Sequence, residues 1–263
     1  MILDRIVERK KAEVAELHCS GIVLPEPYRQ WQADAPRGFR NALLDYTGVA
    51  VIAEVKKASP SKGIICMDFD PVRIAVNYQK QGAQAVSVLT DVDFFHGHLL
   101  YLMQVREAID LPVLRKDFII DRLQIDQARA HGADAILLIA AILQVEELAE
   151  FREHAASLGM DSLVEVHDER EMEMALAAGA DLIGVNNRNL NDFSVDIRTT
   201  FRLQHLLPPH IPLVSESGLS TLADLEALGR AGVAAALIGE TLMRAGAGSS
   251  LLSELRGGVD ENR

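Results

Sequence analysis

This 263-residue chain is short of cysteine, with two, and of tryptophan, with one; aromatic residues make up 5%. Cys19 and Cys66 stand in no metal-ligand spacing, which argues against a disulfide scaffold and against a structural zinc site. Basic residues are outnumbered, 26 Lys and Arg against 38 Asp and Glu, for a formal net charge of −12. That charge repels polyanions, so a general nucleic-acid or anionic-membrane binder is excluded. Any anionic ligand must be met by a locally positive site. The longest apolar run, 135–143, is too short to span a bilayer. The amino terminus mixes charges into its apolar positions and reads as an amphipathic helix over about 4–17, not as a signal peptide. A cytoplasmic protein follows, with no membrane, nucleic acid or metal among its partners. Disorder is excluded too, because hydrophobic residues make up 49% and charged residues 24%.

A repeated phrase organises what is present. Gly82-Ala83-Gln84-Ala85-Val86, Gly132-Ala133-Asp134-Ala135-Ile136 and Gly179-Ala180-Asp181-Leu182-Ile183 recur about 50 residues apart, with a looser copy from Gly232. Each follows a helical pattern and precedes an apolar run, as when glycine ends a helix in the left-handed conformation and a strand begins. Other turn signals, such as Leu158-Gly159 and Pro208-Pro209, fall between them, so a turn recurs about every 25 residues, the length of one strand-plus-helix unit. The predicted strands are 49–56, 85–90, 113–116, 135–139, 162–166, 182–186, 213–216 and 235–239. Helices are predicted near 71–81, 97–109, 121–130, 145–158, 168–178, 198–206, 220–230 and 249–256. Strands apolar on both faces and alternating with helices mean a parallel sheet. Eight such units make an α/β protein, a (β/α)8 TIM barrel in one domain, 1–263, with 1–48 as an N-terminal helical extension packed on it. An open doubly wound sheet is the alternative. No Gly-x-Gly-x-x-Gly follows the first strand, which counts against a dinucleotide fold.

The C-terminal strand ends carry Glu54 and Lys56, then Thr90, Lys116, Glu165, Asn186 with Arg188, Glu216 and Gly239. A barrel gathers these ends on the rim where its active site lies. Glu54 and Lys56 are two apart and share a strand face. Ser215-Glu216-Ser217-Gly218 ends the seventh strand and Ile238-Gly239-Glu240-Thr241 the eighth. Loops at those two places often bind phosphate through backbone N–H groups, and glycine lets the backbone come close. The Glu240 side chain then has to point away from the anion, and Ser220 suits the cap of the next helix. Ser59-Pro60-Ser61-Lys62-Gly63 reads equally as a plain turn and as a mobile loop that brings Ser59 beside Lys56. Other residues take ordinary readings. His96 and His98 lack a third ligand, and His98 lies near a helix start. His167-Asp168 leads into a helix that Asp168 caps. His18, His131, His154, His205 and His210 are scattered and superficial. Met172 and Met174 pack or face water, and Trp31 covers the barrel.

Several segments together resemble one family. Glu54-Val55-Lys56-Lys57-Ala58-Ser59-Pro60-Ser61-Lys62-Gly63 is similar to the first-strand signature of indole-3-glycerol-phosphate synthase, and Leu114-Arg115-Lys116-Asp117-Phe118-Ile119 to its third. Glu165 in Leu163-Val164-Glu165-Val166, the run Gly184-Val185-Asn186-Asn187-Arg188-Asn189-Leu190, Ser215-Glu216-Ser217-Gly218 and Leu237-Ile238-Gly239-Glu240 follow in the family's order. The resemblance covers about 2–256. It departs from the family pattern at His96 and His98, where Gln and Ser are usual, and at Thr241, where Ser is common. It implies a carboxy-lyase of tryptophan biosynthesis working without metal or organic cofactor. The implied reaction turns 1-(2-carboxyphenylamino)-1-deoxyribulose 5-phosphate into indole-3-glycerol phosphate, carbon dioxide and water.

The resemblance also implies roles. Lys116 is the acid at the carbonyl oxygen, made stronger by a nearby cation such as Lys56. Glu165 is the base of the dehydration, and the acid of that step is Lys56 or Lys116. Lys56 holds the substrate carboxylate or phosphate, assisted by Ser59. Glu54, Asn186, Arg188 and Glu216 orient the lysines and the polar substrate groups, and Ser217, Gly218, Gly239 and Glu240 bind phosphate. The partner is thus a phosphorylated small molecule, and the chain is a monomer or weak homodimer. Two other readings stay open on the residues: a Schiff-base aldolase using Lys56 or Lys116, and a non-catalytic phosphometabolite-binding barrel.

Overall fold

A computed structural model of the chain describes residues 2–26, 28–190 and 192–258; the outermost residues of the predicted 1–263 domain lie outside these. Helices α1 (Ile2–Ser20) and α2 (Phe39–Leu44) precede the first strand, β1 (Ala50–Val55). A small hairpin, β2 (Ala58–Ser59) and β3 (Gly63–Ile64), follows it. The chain then alternates through α3 (Pro71–Lys80), β4 (Ala85–Leu89), α4 (Leu99–Ala108), β5 (Val113–Lys116), α5 (Arg122–Ala130), β6 (Ala135–Ile139), α6 (Val145–Ser157) and β7 (Asp161–Val166). It continues through α7 (Glu169–Ala177), β8 (Ile183–Asn186), α8 (Arg198–Gln204), β9 (Leu213–Glu216), α9 (Leu222–Ala231), β10 (Ala235–Ile238), α10 (Glu240–Ala245) and α11 (Leu251–Leu255). β1 and β4 to β10 are parallel neighbours, and β1 pairs with both β4 and β10. The sheet therefore closes: the fold is a (β/α)8 barrel, and the open-sheet alternative is gone.

The strands fall where the apolar runs place them, β5, β6 and β9 to the residue. The repeated glycines do what their position suggests. Gly82, Gly132, Gly179 and Gly232 have φ of +83°, +84°, +74° and +79°, so each turns out of a helix in the left-handed region. Helix starts are capped by side chains: Asp70 accepts from Arg73 N–H at 3.0 Å, and Asp121 forms a capping box with Gln124. Asp168 caps α7, as read from the sequence, and His98, read only as lying near a helix start, caps α4. The cap of α9 is Thr221 and not Ser220, because Thr221 Oγ1 is the group that reaches the Asp224 N–H.

Side chains alternate along each strand, so one parity points into the barrel and the other toward the helices. The inner set is Ala50, Ile52, Ala85, Leu114, Ala135, Leu137, Ile139, Leu163, Leu182, Val214, Ala235 and Leu237. Phe39 and Leu43 of α2 join this set and plug the barrel's lower end. The backbone N–H groups of Arg37 and Arg40 donate to Asp134 and Asp161 at 2.8 Å each, fixing the plug. The outer set, including Val51, Val55, Val86, Val88 and Ile136, packs against the helices. Met172 is buried in that layer, and Met174 packs against it. Trp31 lies over Gly132 at a turn between α5 and β6, so it covers a helix–strand turn and not the barrel mouth.

His131 departs from the superficial reading. It ends α5, is 2% exposed, and its Nδ1 lies 2.8 Å from the Gln127 carbonyl. Amphipathic spacing marks which helix face is buried, but residues just past a helix end follow the path of the turn, which the pattern does not give.

Candidate active site

Parity places the functional side chains. Glu54 follows Ile52 by two residues, Lys116 follows Leu114, Glu165 follows Leu163, Glu216 follows Val214, and Gly239 follows Leu237. Each therefore points inward, one layer above the apolar filling. All of them line a cavity of about 480 Å³ at the C-terminal ends of the strands, together with Lys56, Ser59, Asn186, Arg188, Ser217, Gly218 and Glu240. Thr90 does not belong to it. It has the opposite parity to Leu89, and its Oγ1 donates outward to Asp117 Oδ2 at 2.6 Å.

Lys116 is the centre of the charge pattern. Its Nζ lies 2.6 Å from Glu216, 3.6 Å from Glu165 and 4.0 Å from Glu54. All three carboxylates are buried. Burial alone lowers a lysine pKa, but Glu216, Glu165 and Glu54 outweigh it, so Lys116 is held protonated above its ordinary value. This corrects the sequence reading that a cation sharpens its acidity, since Lys56 is taken up by Glu54. Burial pushes the Glu54 carboxyl up, but Lys56 and Lys116 prevail and it lies below its usual value. Burial also opposes ionisation of Glu165, but His167 and Lys116 bring it down to about 2. Glu216 is shifted up by burial and by Glu165 and Glu54, against the attraction of Lys116. Lys56, Lys62, Lys116, Arg188 and Arg244 share the cavity with Glu54, Asp117, Glu165, Glu216 and Glu240. The site is thus balanced in charge within a chain that carries −12 overall.

At the other end of the cavity the loops after β9 and β10 meet. Ser217 and Gly218 have φ of +68° and +81°, a left-handed pair. Ser217 Oγ donates to Asn186 Oδ1 at 2.9 Å, and Asn187 Nδ2 donates to the Ser217 carbonyl at 3.1 Å. Thr241 Oγ1 donates to the Leu219 carbonyl at 2.8 Å and ties one loop to the other, a bond that its hydroxyl retains. The Glu240 carboxylate is taken up by Arg188 at 3.3 Å and Arg244 at 3.0 Å. Ile2, Leu3 and Ile6 of α1, with Phe95 and Phe118, make an apolar wall. Lys10 anchors that helix: its buried Nζ lies 2.9 Å from both Asp91 and Asp117.

The model of the family described as indole-3-glycerol phosphate synthase matches residues 3–255. A relative of that name from Desulfotalea psychrophila is 64% identical over 254 residues, covering 97% of this chain and 98% of the relative. The chain belongs to the indole-3-glycerol phosphate synthase family. Another relative of the same name, from Acetivibrio thermocellus, is 48% identical over 97% of this chain and 99% of the relative. The fold alone is shared with the N-acetylmannosamine-6-phosphate 2-epimerase of Clostridium perfringens, at TM-score 0.61 and 15% identity over 77% of this chain and 91% of that one.

In this member of the synthase family, sequence reasoning found the ionic cluster and missed what shapes it. Glycine at 184 leaves room for the Glu216 carboxylate, and glycine at 239 does so for Glu54; a Cβ at either place collides with the carboxylate. Parity turns both positions inward but does not explain their size, because the carboxylate that needs the room comes from the adjacent strand. Asn187 is buried and holds the β8 and β9 loops together, with Oδ1 accepting from Thr200 at 2.9 Å and Nδ2 donating to Ser215 at 3.1 Å. Its neighbour Asn186 drew attention instead because it ends the strand. By its place in the sequence His167 only leads into α7, yet its ring contacts Glu165. The loop 59–63 pairs as the β2–β3 hairpin and puts Ser59 and Lys62 on the cavity.

Proposed function

We propose that the chain converts 1-(2-carboxyphenylamino)-1-deoxyribulose 5-phosphate to indole-3-glycerol phosphate, carbon dioxide and water, as a carboxy-lyase of tryptophan biosynthesis. Its family supports the reaction. One observation supports the roles most directly: Lys116 and Glu165 lie 3.6 Å apart in the same cavity as Lys56 and the two loops after β9 and β10.

The ring carbon bearing the carboxylate attacks the ketose carbonyl. A carbon–carbon bond forms and the carbonyl π electrons move onto oxygen. Lys116, a cation at neutral pH, stabilises that charge and gives its proton to the alkoxide, a far stronger base than an amine. The carbon–carboxylate bond then breaks, and its electron pair restores the aromatic ring. The ring and its nitrogen accept these electrons, so no separate electron sink is needed. In the last step the ionised Glu165 removes a proton while the hydroxyl leaves as water. Lys56 is the acid for that step: it holds the substrate carboxylate, and loss of carbon dioxide frees it when Lys116 has already spent its proton.

Ser59 assists Lys56. Glu54, Asn186, Arg188 and Glu216 hold the lysines and the sugar hydroxyls in place. Ser217, Gly218, Gly239 and Glu240 receive the phosphate, chiefly through backbone N–H groups, while the Glu240 carboxylate stays with its arginines. The wall of α1 with Phe95 and Phe118 takes the aromatic ring. The chain works as one domain over 1–263, as a monomer or weak homodimer, in the cytoplasm.

Purified chain given the ketose phosphate and a chelator should release an indole product, followed by its fluorescence. No turnover, or strict metal dependence, removes the reading. Lys116→Ala should cut kcat at least about 10³-fold with substrate affinity nearly unchanged; near-normal turnover sinks its assignment as the acid. Borohydride added with substrate should trap no lysine adduct, and a trapped adduct favours the Schiff-base alternative.

A further inference from the structure

Glu165 has a neighbour that the reaction scheme leaves unused. His167 follows the end of β7 with the same parity as Glu165, and its side chain is 12% exposed. Nε2 lies 3.3 Å from Glu165 Oε1, close enough for charge attraction though not aligned for a hydrogen bond. On the other side Nδ1 lies 2.9 Å from Glu171 Oε2, and the same oxygen accepts the His167 backbone N–H at 2.8 Å. Glu171 is itself fixed, its backbone N–H donating to the Asp168 cap at 2.9 Å. The imidazole is thus set by α7 from outside and presented to Glu165.

This geometry decides the protonation state. A ring N–H at Nδ1 is needed to donate to Glu171. A neutral ring would then turn the lone pair of Nε2 toward the Glu165 carboxylate, which is repulsive. A cation satisfies both sides.

We propose that His167 is a positioning residue for the reaction: an imidazolium steadied by Glu171, it fixes the Glu165 carboxylate in the orientation that faces Lys116 and supplies a second counter-charge. The inference rests on the reading of Glu165 as the base. Burial works against the charged ring, but Glu165 and Glu171 raise its pKa to about 10. Glu165 also faces Lys116 from β5, Glu54 from β1, Glu216 from β9 and a hydrogen bond from Asn186 of β8. Without the imidazolium, Glu165 keeps Lys116 as a counter-charge but still faces Glu54 and Glu216, so it becomes harder to ionise. Its titration therefore moves to higher pH, and a carboxylate no longer held toward Lys116 acts more slowly even where it stays ionised.

The test uses the full chain with His167→Asn and His167→Lys. Carboxyl resonances of 13C-labelled glutamate, assigned with Glu165→Gln, give the Glu165 titration without turnover. Steady-state kcat and KM on the ketose phosphate at neutral pH give the effect of its orientation. In His167→Asn the Glu165 midpoint should rise by about one unit or more, with kcat down roughly 10- to 100-fold and KM changed little. His167→Lys restores the charge and should recover much of the shift. A purely structural, capping role for His167 predicts lost thermal stability with the Glu165 midpoint unmoved, and that result overturns the proposal. If His167→Asn does not fold, His167→Gln is read in its place against the same midpoint. Failure of the base assignment shows separately, as turnover surviving in Glu165→Gln, while the titration still reports whether His167 acts on that carboxylate.

Discussion

Gly184 shows how one hydrogen atom can set the charge pattern of the site. Its backbone is not left-handed, so alanine is tolerated conformationally; the conflict is with Glu216 Oε1 and, at 3.3 Å, with Leu163 Cδ1. A methyl group there must push Glu216 off Lys116, its nearest partner at 2.6 Å. Gly184→Ala should lower kcat/KM by about 100-fold, the cost of a displaced group, and lower stability by ~1–3 kcal/mol from overpacking. Gly232→Ala is the control: its φ of +79° strains a side chain, but no atom lies within 4 Å of the added Cβ. It should lose ~1–2 kcal/mol in a thermal melt with kinetics unchanged. Equal kinetic losses in the two variants contradict the argument. At this scale the charged residues were legible in the sequence, because a Lys or Glu ending an apolar strand needs a reason. Glycine at 184 was not, since the cause of its size is a side chain on the adjacent strand.

Among the elements, α1 is pinned over the cavity by a buried cation, with Arg9–Asp93 and His18–Asp121 as more exposed ties. Lys10 is 1% exposed and reaches Asp91 and Asp117 at 2.9 Å, with Glu13 at 2.8 Å on its own helix. Burial works against its charge, yet Asp117 and Asp91 raise its pKa above the ordinary lysine value. Asp117 has further partners, Arg115 at 3.1 Å and Thr90 at 2.6 Å, so it survives the loss of Lys10 better than Asp91 Oδ2 does. Lys10→Met should destabilise the docked helix by ~3 kcal/mol, the cost of stranding a buried charge. Amides of α1 should then exchange faster, with those of β5 to β7 still protected, and KM should rise because Ile2, Leu3 and Ile6 leave the wall. Unchanged exchange in α1 contradicts this. The sequence displays α1 as an amphipathic helix and the eight strand–helix units by their spacing. It does not display what α1 packs on, because the partners Asp91 and Asp117 lie about 80 and 107 residues away and each looks like a loop carboxylate. The same holds for α2, whose Phe39 and Leu43 fill the barrel from below although six residues are too few to show a helical period.

For the molecule as a whole, two histidines of opposite habit shape stability against pH. Burial pushes His131 down to about 4, against the pull of the Gln127 carbonyl. His167 is raised to about 10, because Glu165 and Glu171 overcome its burial. In the unfolded chain both titrate near pH 6.5. Between pH 6.5 and 4 the unfolded chain therefore takes up a proton at residue 131 that the native state refuses, and stability falls as pH drops through that window. Between pH 6.5 and 10 the native state keeps a proton at residue 167 that the unfolded chain releases, and that contribution fades as pH rises. Across its own window each histidine contributes on the order of 3 to 5 kcal/mol, or ~10 °C in Tm for a chain of this size, read as the difference between wild type and variant because Glu216 and Asp134, both raised by burial, titrate on the acid side too. His131→Gln should flatten the acid side of the Tm profile and leave the alkaline side as it is. His167→Gln should do the reverse. Both profiles can be measured by melting the wild type and the two variants at fixed ionic strength from pH 4 to 10. A His131→Gln profile parallel to wild type between pH 4 and 6.5 means that the native ring accepts its proton as readily as the unfolded one, contrary to its burial behind the turn at Gly132.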